Sequence, residues 1–352
     1  MPQQTKEIPY LSRRVQLNKR EDKVVKRVIL WVIHNLKFLF IPGFYQEELN
    51  KRRTLYETFF PKKQVLKRYK SPLFILGISI IILICTFAVF PDWLSPYSYL
   101  EATTYTGLDI YKESFLAPSP EHPLGQTFYG LDVLARIIFG ARSVLLLAFI
   151  STLFASVLGI FIGAISGYFE GWLDAIIMRG MDIVLSFPGI IFAIVLITIW
   201  GGDFIILIII YTLIGMPYFS RLIRTNILKE KLLPYVTAGK VAGAKSFRII
   251  FRHILPNCIL PLIVAASFNI ARNILSLSVL GFLRFGGIEW WEAGYHLGWV
   301  EWGYDMALVI NRFYTAPWIV IFPSLMISIS VIGFLLVGDG LSDFGLMGQE
   351  VL

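Results

Sequence analysis

Apolar and polar stretches alternate along the chain with a spacing that predicts membrane-spanning helices. Roughly 20 apolar residues cross the hydrocarbon core of a bilayer, and six runs are close to that length or longer. They cover Leu73–Phe90, Val144–Ile165, Ile183–Trp200, Phe204–Tyr218, Cys258–Leu283 and Trp318–Val337. The mean hydropathy of +0.67 agrees. We therefore expect an all-α integral membrane protein with six transmembrane helices.

The charges between these runs predict the topology in a cell membrane. Arg221–Asn257 carries eight Lys or Arg and one acidic residue, so the positive-inside rule places it in the cytoplasm. Residues 92–142 hold three basic and six acidic side chains, and residues 284–315 hold two and four, which fits the outer side. Both termini are then cytoplasmic. The marker residues for this topology are Lys6 and Lys245 inside, and Glu121 and Glu301 outside.

Residues 1–70 form a basic tail, with 17 basic and six acidic side chains and a net charge of +11. Such a tail is attracted to anionic lipid, so it does not require a nucleic-acid partner. Val25–Phe40 and Thr54–Tyr69 are amphipathic. For Val25–Phe40 we favour a helix in the membrane plane over a span, because His34 and Lys37 would lie in hydrocarbon. The expected organisation is a tail at 1–70, a first span at 71–91, an outer segment at 92–142, a five-helix domain at 143–340 and a cytoplasmic end at 341–352.

Two further patterns predict where helices and aromatic rings lie. Gly159, Gly163 and Gly167 recur every four residues in the second span, a spacing that lets another helix approach closely. The outer segment 284–315 is rich in tryptophan. An interfacial aromatic belt is the favoured interpretation, and a platform for a ligand is the alternative. The residues concerned are Trp290, Trp291, Trp299 and Trp302.

The chain carries no pattern for ATP binding or catalysis. The P-loop sequence GxxxxGK[ST] does not occur. A gradient-driven carrier normally holds acids or histidines within its spans. The predicted spans contain no Asp, Glu or His, and we expect their interior to be free of charge. This disfavours secondary transport and indicates that energy comes from a partner. No metal or disulfide site is predicted from His34, His122, His253, His296, Cys85 and Cys258.

The cytoplasmic loop 221–257 predicts two short helices about a glycine hinge. Pro234 suits a first helical turn, Gly243 suits a left-handed stop, Ser246 suits a cap for the second helix, and Pro256 suits its end. Small side chains recur one turn apart on the first helix, as a helix that docks in a groove requires. An ordinary basic loop that only fixes topology is the alternative.

The same loop resembles the EAA loop of permease subunits of binding-protein-dependent ABC importers. That motif is a Glu-Ala-Ala triplet, three residues, a Gly, nine residues, a hydrophobic residue, any residue, and Leu-Pro. The matching positions here are Thr237, Ala238, Gly239, Gly243, His253, Leu255 and Pro256. Thr, Gly and His replace the Glu, the second Ala and the hydrophobic residue. The sequence RIIFRHILPN around the end of the motif resembles the peptide-importing branch.

Motifs on both sides of the loop extend the resemblance from Pro118 to Asp343. Residues 122–142 read HPLGQTFYGLDVLARIIFGAR, similar to a signature before the second span of dipeptide and oligopeptide permeases, with Gln126 and Leu131 for Thr and Arg. Residues 338–343 read GDGLSD, similar to the closing GDGLRD of the family. The sequence departs from the family's EAALSFLGLG, since Leu277 replaces the Glu and Arg284 replaces a Gly.

The resemblance implies a six-helix permease of the type I ABC importer fold, from the dipeptide, oligopeptide and nickel class. It implies a heterodimer with a second permease, two cytoplasmic ATPases and an external substrate-binding protein. ATP and Mg would then be bound by the partner ATPases, with no cofactor in this chain. The resemblance also implies that the loop couples this chain to the ATPases, and the residues assigned to this coupling are Thr237, Ala238, Gly239, Val241, Ala242, Gly243, Leu255 and Pro256. Peptide is the first expectation for the substrate. Nickel, oligosaccharide or another solute is the alternative.

Overall fold

The computed structural model describes residues 72–103, 114–128, 130–285 and 299–346. Within these residues the regular secondary structure is helical, including a 3₁₀ turn at Ile310–Arg312, and one isolated β-bridge joins Gln126 and Asp132. The helices in chain order are α1 (Pro72–Val89), α2 (Pro91–Leu94), α3 (Tyr99–Thr103), α4 (Val133–Phe169), α5 (Gly171–Ser186), α6 (Gly189–Trp200), α7 (Phe204–Glu230), α8 (Pro234–Val241), α9 (Ser246–Phe282), α10 (Trp302–Ala307) and α11 (Trp318–Leu346).

Five of the described helices are long and apolar enough to cross a membrane, and a bent pair makes six if it counts as one span. The five are α1, α4, α7, α9 and α11, and the bent pair is α5 with α6. Each of the six predicted apolar runs coincides with one of these elements. The expectation of an all-α membrane protein is therefore confirmed.

The third predicted span is not a single straight helix. The axes of α5 and α6 differ by 87°, with the break at Phe187 and Pro188. The predicted run Ile183–Trp200 therefore corresponds to the end of α5 and the whole of α6, with the bend at Pro188 between them. Proline disfavours the helical conformation of the residue before it, and Phe187 is extended with φ −92° and ψ 135°.

Three other helices are longer than the apolar runs that predicted them. Asp132 caps α4, its carboxylate accepting from the Ala135 N–H at 2.7 Å, so the helix begins well before the predicted Val144. Likewise α7 continues past Tyr218 and α11 past Val337. A charged residue ends the membrane-embedded part of a helix, but it does not break the backbone hydrogen bonds. The predicted segment boundaries at 142 and 340 therefore fall inside helices.

The predicted cap and stop of the second loop helix were also wrong. Ser246 is the first helical residue of α9, and Lys245 before it is extended. Pro256 does not end the helix, because the backbone changes pitch there. A π-helical stretch at Ile249–Ile254 and a 3₁₀ turn at Leu255–Cys258 carry it on to Phe282. Such changes of pitch let a helix continue through a residue that lacks an N–H.

Close packing of α4 against α7 confirms the prediction from the glycine spacing. A Cβ atom added to Gly159 would lie 2.4 Å from the Phe219 Cβ, and one added to Gly163 would lie 2.4 Å from the Ser220 carbonyl oxygen. At Gly167 the nearest atom would be the Arg224 carbonyl oxygen, at 2.9 Å. The two backbones therefore approach closely along this ridge.

A buried ion pair joins the beginning of α4 to α10. The Arg136 Nε donates to both Asp305 carboxylate oxygens, at 2.8 and 2.9 Å, and Nη1 donates to the Ala102 carbonyl at 2.7 Å. Trp302 beside it is fully buried, with Nε1 donating to the Ile137 carbonyl at 3.1 Å. The aromatic-belt interpretation was therefore wrong for Trp302, which belongs to the protein interior.

Glu301 caps α10 from a buried position. Its carboxylate accepts from the N–H groups of Gly303 and Tyr304 at 3.0 and 2.7 Å. Burial raises the pKa of Glu301 to about 8, and the backbone hydrogen bonds only partly oppose this shift.

Several predictions fall outside the described residues. They are the tail 1–70 with Val25–Phe40 and Thr54–Tyr69, the tryptophans Trp290 and Trp291, and residues 347–352.

Candidate coupling surface

The helix α8 is framed by the two residues that predicted it. Pro234 is its first residue, and Gly243 follows its end with φ +77°, the left-handed conformation expected there. The Gly243 N–H donates to the Lys240 carbonyl and the Ala244 N–H donates to the Gly239 carbonyl, both at 3.0 Å. These two bonds form a Schellman motif, which satisfies the last carbonyls of the helix. The turn after α8 is thus defined by its own hydrogen bonds.

An apolar cluster holds α8 against the ends of the long helices. Val236, only 1% exposed, packs in one cluster with Ile223 and Ile227 of α7 and with Ile249 and Ile254 of α9. One side chain of α8 is buried among four from other helices, and these contacts fix the position of the short helix. We call the four side chains of α7 and α9 the seat of α8. Val236 thus links α8 directly to both α7 and α9.

A polar cluster ties the start of α8 to the same two helices. The Tyr235 hydroxyl donates to the Glu230 carboxylate, and the Asn257 amide donates to Glu230 and Tyr235 at 3.1 Å each. Burial, reinforced by the bond to Glu230, raises the pKa of Tyr235 above its ordinary value of 10.0. The hydroxyl therefore stays protonated and keeps its role as donor.

Tyr168 at the end of α4 adds a third attachment. The Lys231 ammonium donates to the Tyr168 carbonyl at 2.6 Å and pairs with Glu170 at 2.9 Å. The ammonium groups of Lys231 and Lys240 lie 5.3 and 5.7 Å from the centre of the Tyr168 ring, within cation–π range. The loop thus contacts α4, α7 and α9 together.

The structure separates the predicted coupling residues into an exposed face and a base. Leu255 is half-buried and packs against the apolar cluster beneath α8, whereas Pro256 is exposed in the 3₁₀ turn. Gly239 is half-buried, and no atom lies within 4 Å of a Cβ added there. The exposed residues of α8 and its stop are Thr237, Ala238, Val241, Ala242 and Gly243.

Large apolar side chains and cations surround this face. Val241 is 86% exposed, Leu232 75% and Phe247 70%. A concentration of exposed apolar side chains on a water-facing loop is typical of a protein–protein interface. The exposed cations nearby are Lys240, Lys245, Arg248 and Arg252. The surface therefore suits a groove with an apolar floor and acidic walls.

Arg272 contradicts the expectation that the interior of the spans is free of charge. It lies in α9, within the predicted fifth span, and is exposed. A positive charge inside an apolar run is visible in the sequence, so the expectation of charge-free spans was wrong at this position. The residues around Arg272 could not be found from the sequence, because α6 and α7 bring them there.

The chain matches the family model of the binding-protein-dependent transport system inner membrane component over residues 159–344. This range is more than half of the chain and includes α8 and its seat. The chain belongs to this family. It is therefore a transport component of the inner membrane that crosses the bilayer several times.

Two curated relatives and one solved structure illustrate the similarity. A dipeptide transport system permease protein of Alkalihalophilus pseudofirmus is 34% identical over 82% of this chain and 90% of its own length. A glutathione transport system permease protein of Pectobacterium atrosepticum is 34% identical over 75% of this chain and 83% of its own length. A chain of the MetNI methionine ABC transporter, in an inward-facing conformation, gives a TM-score of 0.48 at 18% identity and covers 62% of this chain and 96% of that chain.

Proposed function

We propose that this chain is a permease of an ATP-driven importer for di- and oligopeptides that an external binding protein delivers. The relatives support the substrate class, since they are named for dipeptide and glutathione transport. The same names favour peptide over nickel or oligosaccharide. The resemblance implies that the chain pairs with a second permease and two cytoplasmic ATPases, which bind ATP and Mg.

The observation that carries the proposal is the exposed helix α8 on a buried seat. Its outer face is made of small side chains around Ala238, and its inner face is anchored through Val236 to the helices α7 and α9. When the ATPases close on ATP, a groove around α8 would push on this seat and tilt the two long helices. The proposed coupling residues are Thr237, Ala238, Gly239, Val241, Ala242 and Gly243, with Leu255 and Pro256 at the base.

The proposed topology places α8 in the cytoplasm and α10 outside. The basic residues around α8 support the first placement, and the acidic outer segments support the second. A single cysteine at Lys245 should be labelled only after the membrane is made permeable, and a single cysteine at Glu121 should be labelled from outside. Labelling of both positions from the same side would contradict the topology.

Reconstitution tests the function. The importer is purified through a tag on this chain, placed in proteoliposomes with ATP inside, and supplied with the binding protein and a labelled dipeptide outside. We expect co-purification of a second permease and the ATPases, and uptake that needs both ATP and the binding protein. An ATPase variant without hydrolysis is the matched control. Uptake by the chain alone without ATP would contradict the proposal.

A further inference from the structure

A cavity of about 330 Å³ lies beside the break between α5 and α6. Its apolar wall includes Phe187 and Ile190, and its polar wall includes Tyr211 of α7 and Arg272 and Asn273 of α9. Small-molecule sites in proteins commonly have volumes of about 300–1,000 Å³ and combine apolar walls with a few polar groups. The cavity therefore has the size and lining of a site for a small solute.

Arg272 brings a positive charge to the middle of the predicted membrane region. At about 1.5 Å per residue, it lies about 20 Å along the α-helical part of α9, which begins at Ile259 and is about 36 Å long. A charged side chain is costly at this depth unless it faces a water-filled path or a partner. An exposed arginine here is thus a sign of function.

Within the described residues, Arg272 has no carboxylate at ion-pair distance. Its neighbour is the Tyr218 ring, whose centre lies 5.0 Å from the guanidinium carbon. A cation–π contact positions the guanidinium but leaves its charge in place. Arg272 therefore presents an uncompensated positive charge with hydrogen-bond donors to the cavity.

Hydrogen bonds fix the cavity wall beside Arg272, and the wall also holds a second hydrogen-bond donor, the Tyr211 hydroxyl. The Asn273 amide donates to the hydroxyls of Ser151 and Thr152 at 3.1 and 3.2 Å, which fixes its position between α4 and α9. Tyr211 is 2% exposed, and its hydroxyl has no hydrogen-bond partner within the described residues. A buried hydroxyl without a partner is unfavourable, and a bound solute would supply the missing acceptor.

We propose that Arg272 binds the carboxylate of the peptide during its passage through this cavity, with the Tyr211 hydroxyl as an additional donor. The proposal rests on the peptide import proposed above. The fork of an arginine matches the two oxygens of a carboxylate, and the pair is strong where water is excluded. Every free peptide carries a carboxylate at its carboxyl end, whatever its side chains. One fixed cation can therefore serve peptides of different sequence.

The test compares two substrates in two forms of the complete importer. Wild-type and Arg272→Gln complexes are reconstituted with the same binding protein, and ATP-driven uptake is measured for a dipeptide and for its carboxyl-terminal amide. Because binding-protein capture is common to both forms, the change in the ratio of the two rates isolates the interaction with Arg272. Arg179→Gln is the matched control, since Arg179 is an exposed arginine of α5 that does not line the cavity.

We expect Arg272→Gln to lower uptake of the free dipeptide about tenfold more than uptake of the amide, as loss of a charge-assisted hydrogen bond would. Arg272→Lys, which keeps the charge but not the fork, should recover only part of the uptake of the free dipeptide, and Arg179→Gln should change neither rate. Equal loss for both substrates, or no loss, would overturn the proposal and leave Arg272 a structural residue. If the wild-type importer transports neither substrate, peptide import itself fails instead.

Discussion

A methyl group added to the ridge between α4 and α7 should destabilise the protein measurably. In Gly163→Ala the new Cβ would lie 2.4 Å from the Ser220 carbonyl oxygen and 3.1 Å from the Arg224 backbone nitrogen. Favourable contacts between such atoms are about 3.5 Å or longer. Both neighbours are backbone atoms, so no change of rotamer relieves the clash. The two helices must separate by about 1 Å at this point.

The magnitude follows from two opposing effects. Overpacking of a tight interface costs about 1–3 kcal/mol, whereas replacing a helical glycine by alanine gains about 1 kcal/mol in helix propensity. Gly180→Ala in α5 is the matched control, because no atom lies within 4 Å of its added Cβ. The control gains the propensity without the clash. The difference in the free energy of unfolding between the variants should therefore be about 1–3 kcal/mol.

The assay uses the free thiols of the chain. Cys258 is buried and Cys85 is exposed, so in a Cys85→Ser background a thiol-reactive dye reports unfolding through Cys258. The purified protein is heated in detergent, and the midpoints of dye labelling are compared. We expect Gly163→Ala to unfold several degrees below Gly180→Ala. Equal midpoints for the two variants would refute the claim that α4 and α7 are in close backbone contact.

Three further predictions concern the buried acids beside α10 and the turn after α8. Because its pKa of about 8 lies above the 4.5 of an ordinary Glu, Glu301 should make stability fall as pH rises between these values, by up to about 1.4 kcal/mol per unit. Thermal melts of Glu301→Gln should lack this slope, and an unchanged slope would assign it to another group. Asp305→Asn should lower stability in thermal melts by about 3–5 kcal/mol, because Arg136 stays buried without its partner; a loss below about 1 kcal/mol would mean that the pair is hydrated. Gly243→Ala should speed hydrogen exchange across α8 at a cost of about 1 kcal/mol, whereas Gly239→Ala, which is not at positive φ, should not.

The sequence predicted the number of membrane elements but not their ends. Apolar runs report which residues can lie in lipid, whereas a helix ends where its backbone hydrogen bonds end. Asp132 therefore starts α4 well before the apolar run, and α7 continues past Tyr218 into the basic loop. Whether a proline ends a helix depends on its surroundings. The helix axis bends sharply at Pro188, whereas α9 continues through Pro256 by a local change of helical pitch.

The coupling surface was predictable where local sequence determines it and unpredictable where packing does. Pro234 and Gly243 act through their own backbone, so α8 and its stop were predicted from local sequence. The seat was not, because Val236 meets Ile227 and Ile249 only after α7 and α9 pack together. The cavity at Arg272 depends on the bend between α5 and α6, whose position Pro188 marks but whose angle of 87° follows from packing.

The most direct test of the account adds bulk to the exposed face of α8, which we propose docks in an ATPase. Ala238→Trp fills this face with an indole, and Gly180→Trp adds a side chain at a position with open space on α5. Each variant is purified with its partners, and the retained ATPase per permease and the ATP-driven peptide uptake are measured. The account predicts that Ala238→Trp inserts in the membrane but loses ATPase association or uptake, while Gly180→Trp keeps both. Full ATPase association and full uptake in Ala238→Trp would contradict the account and would mean that the loop only fixes the topology.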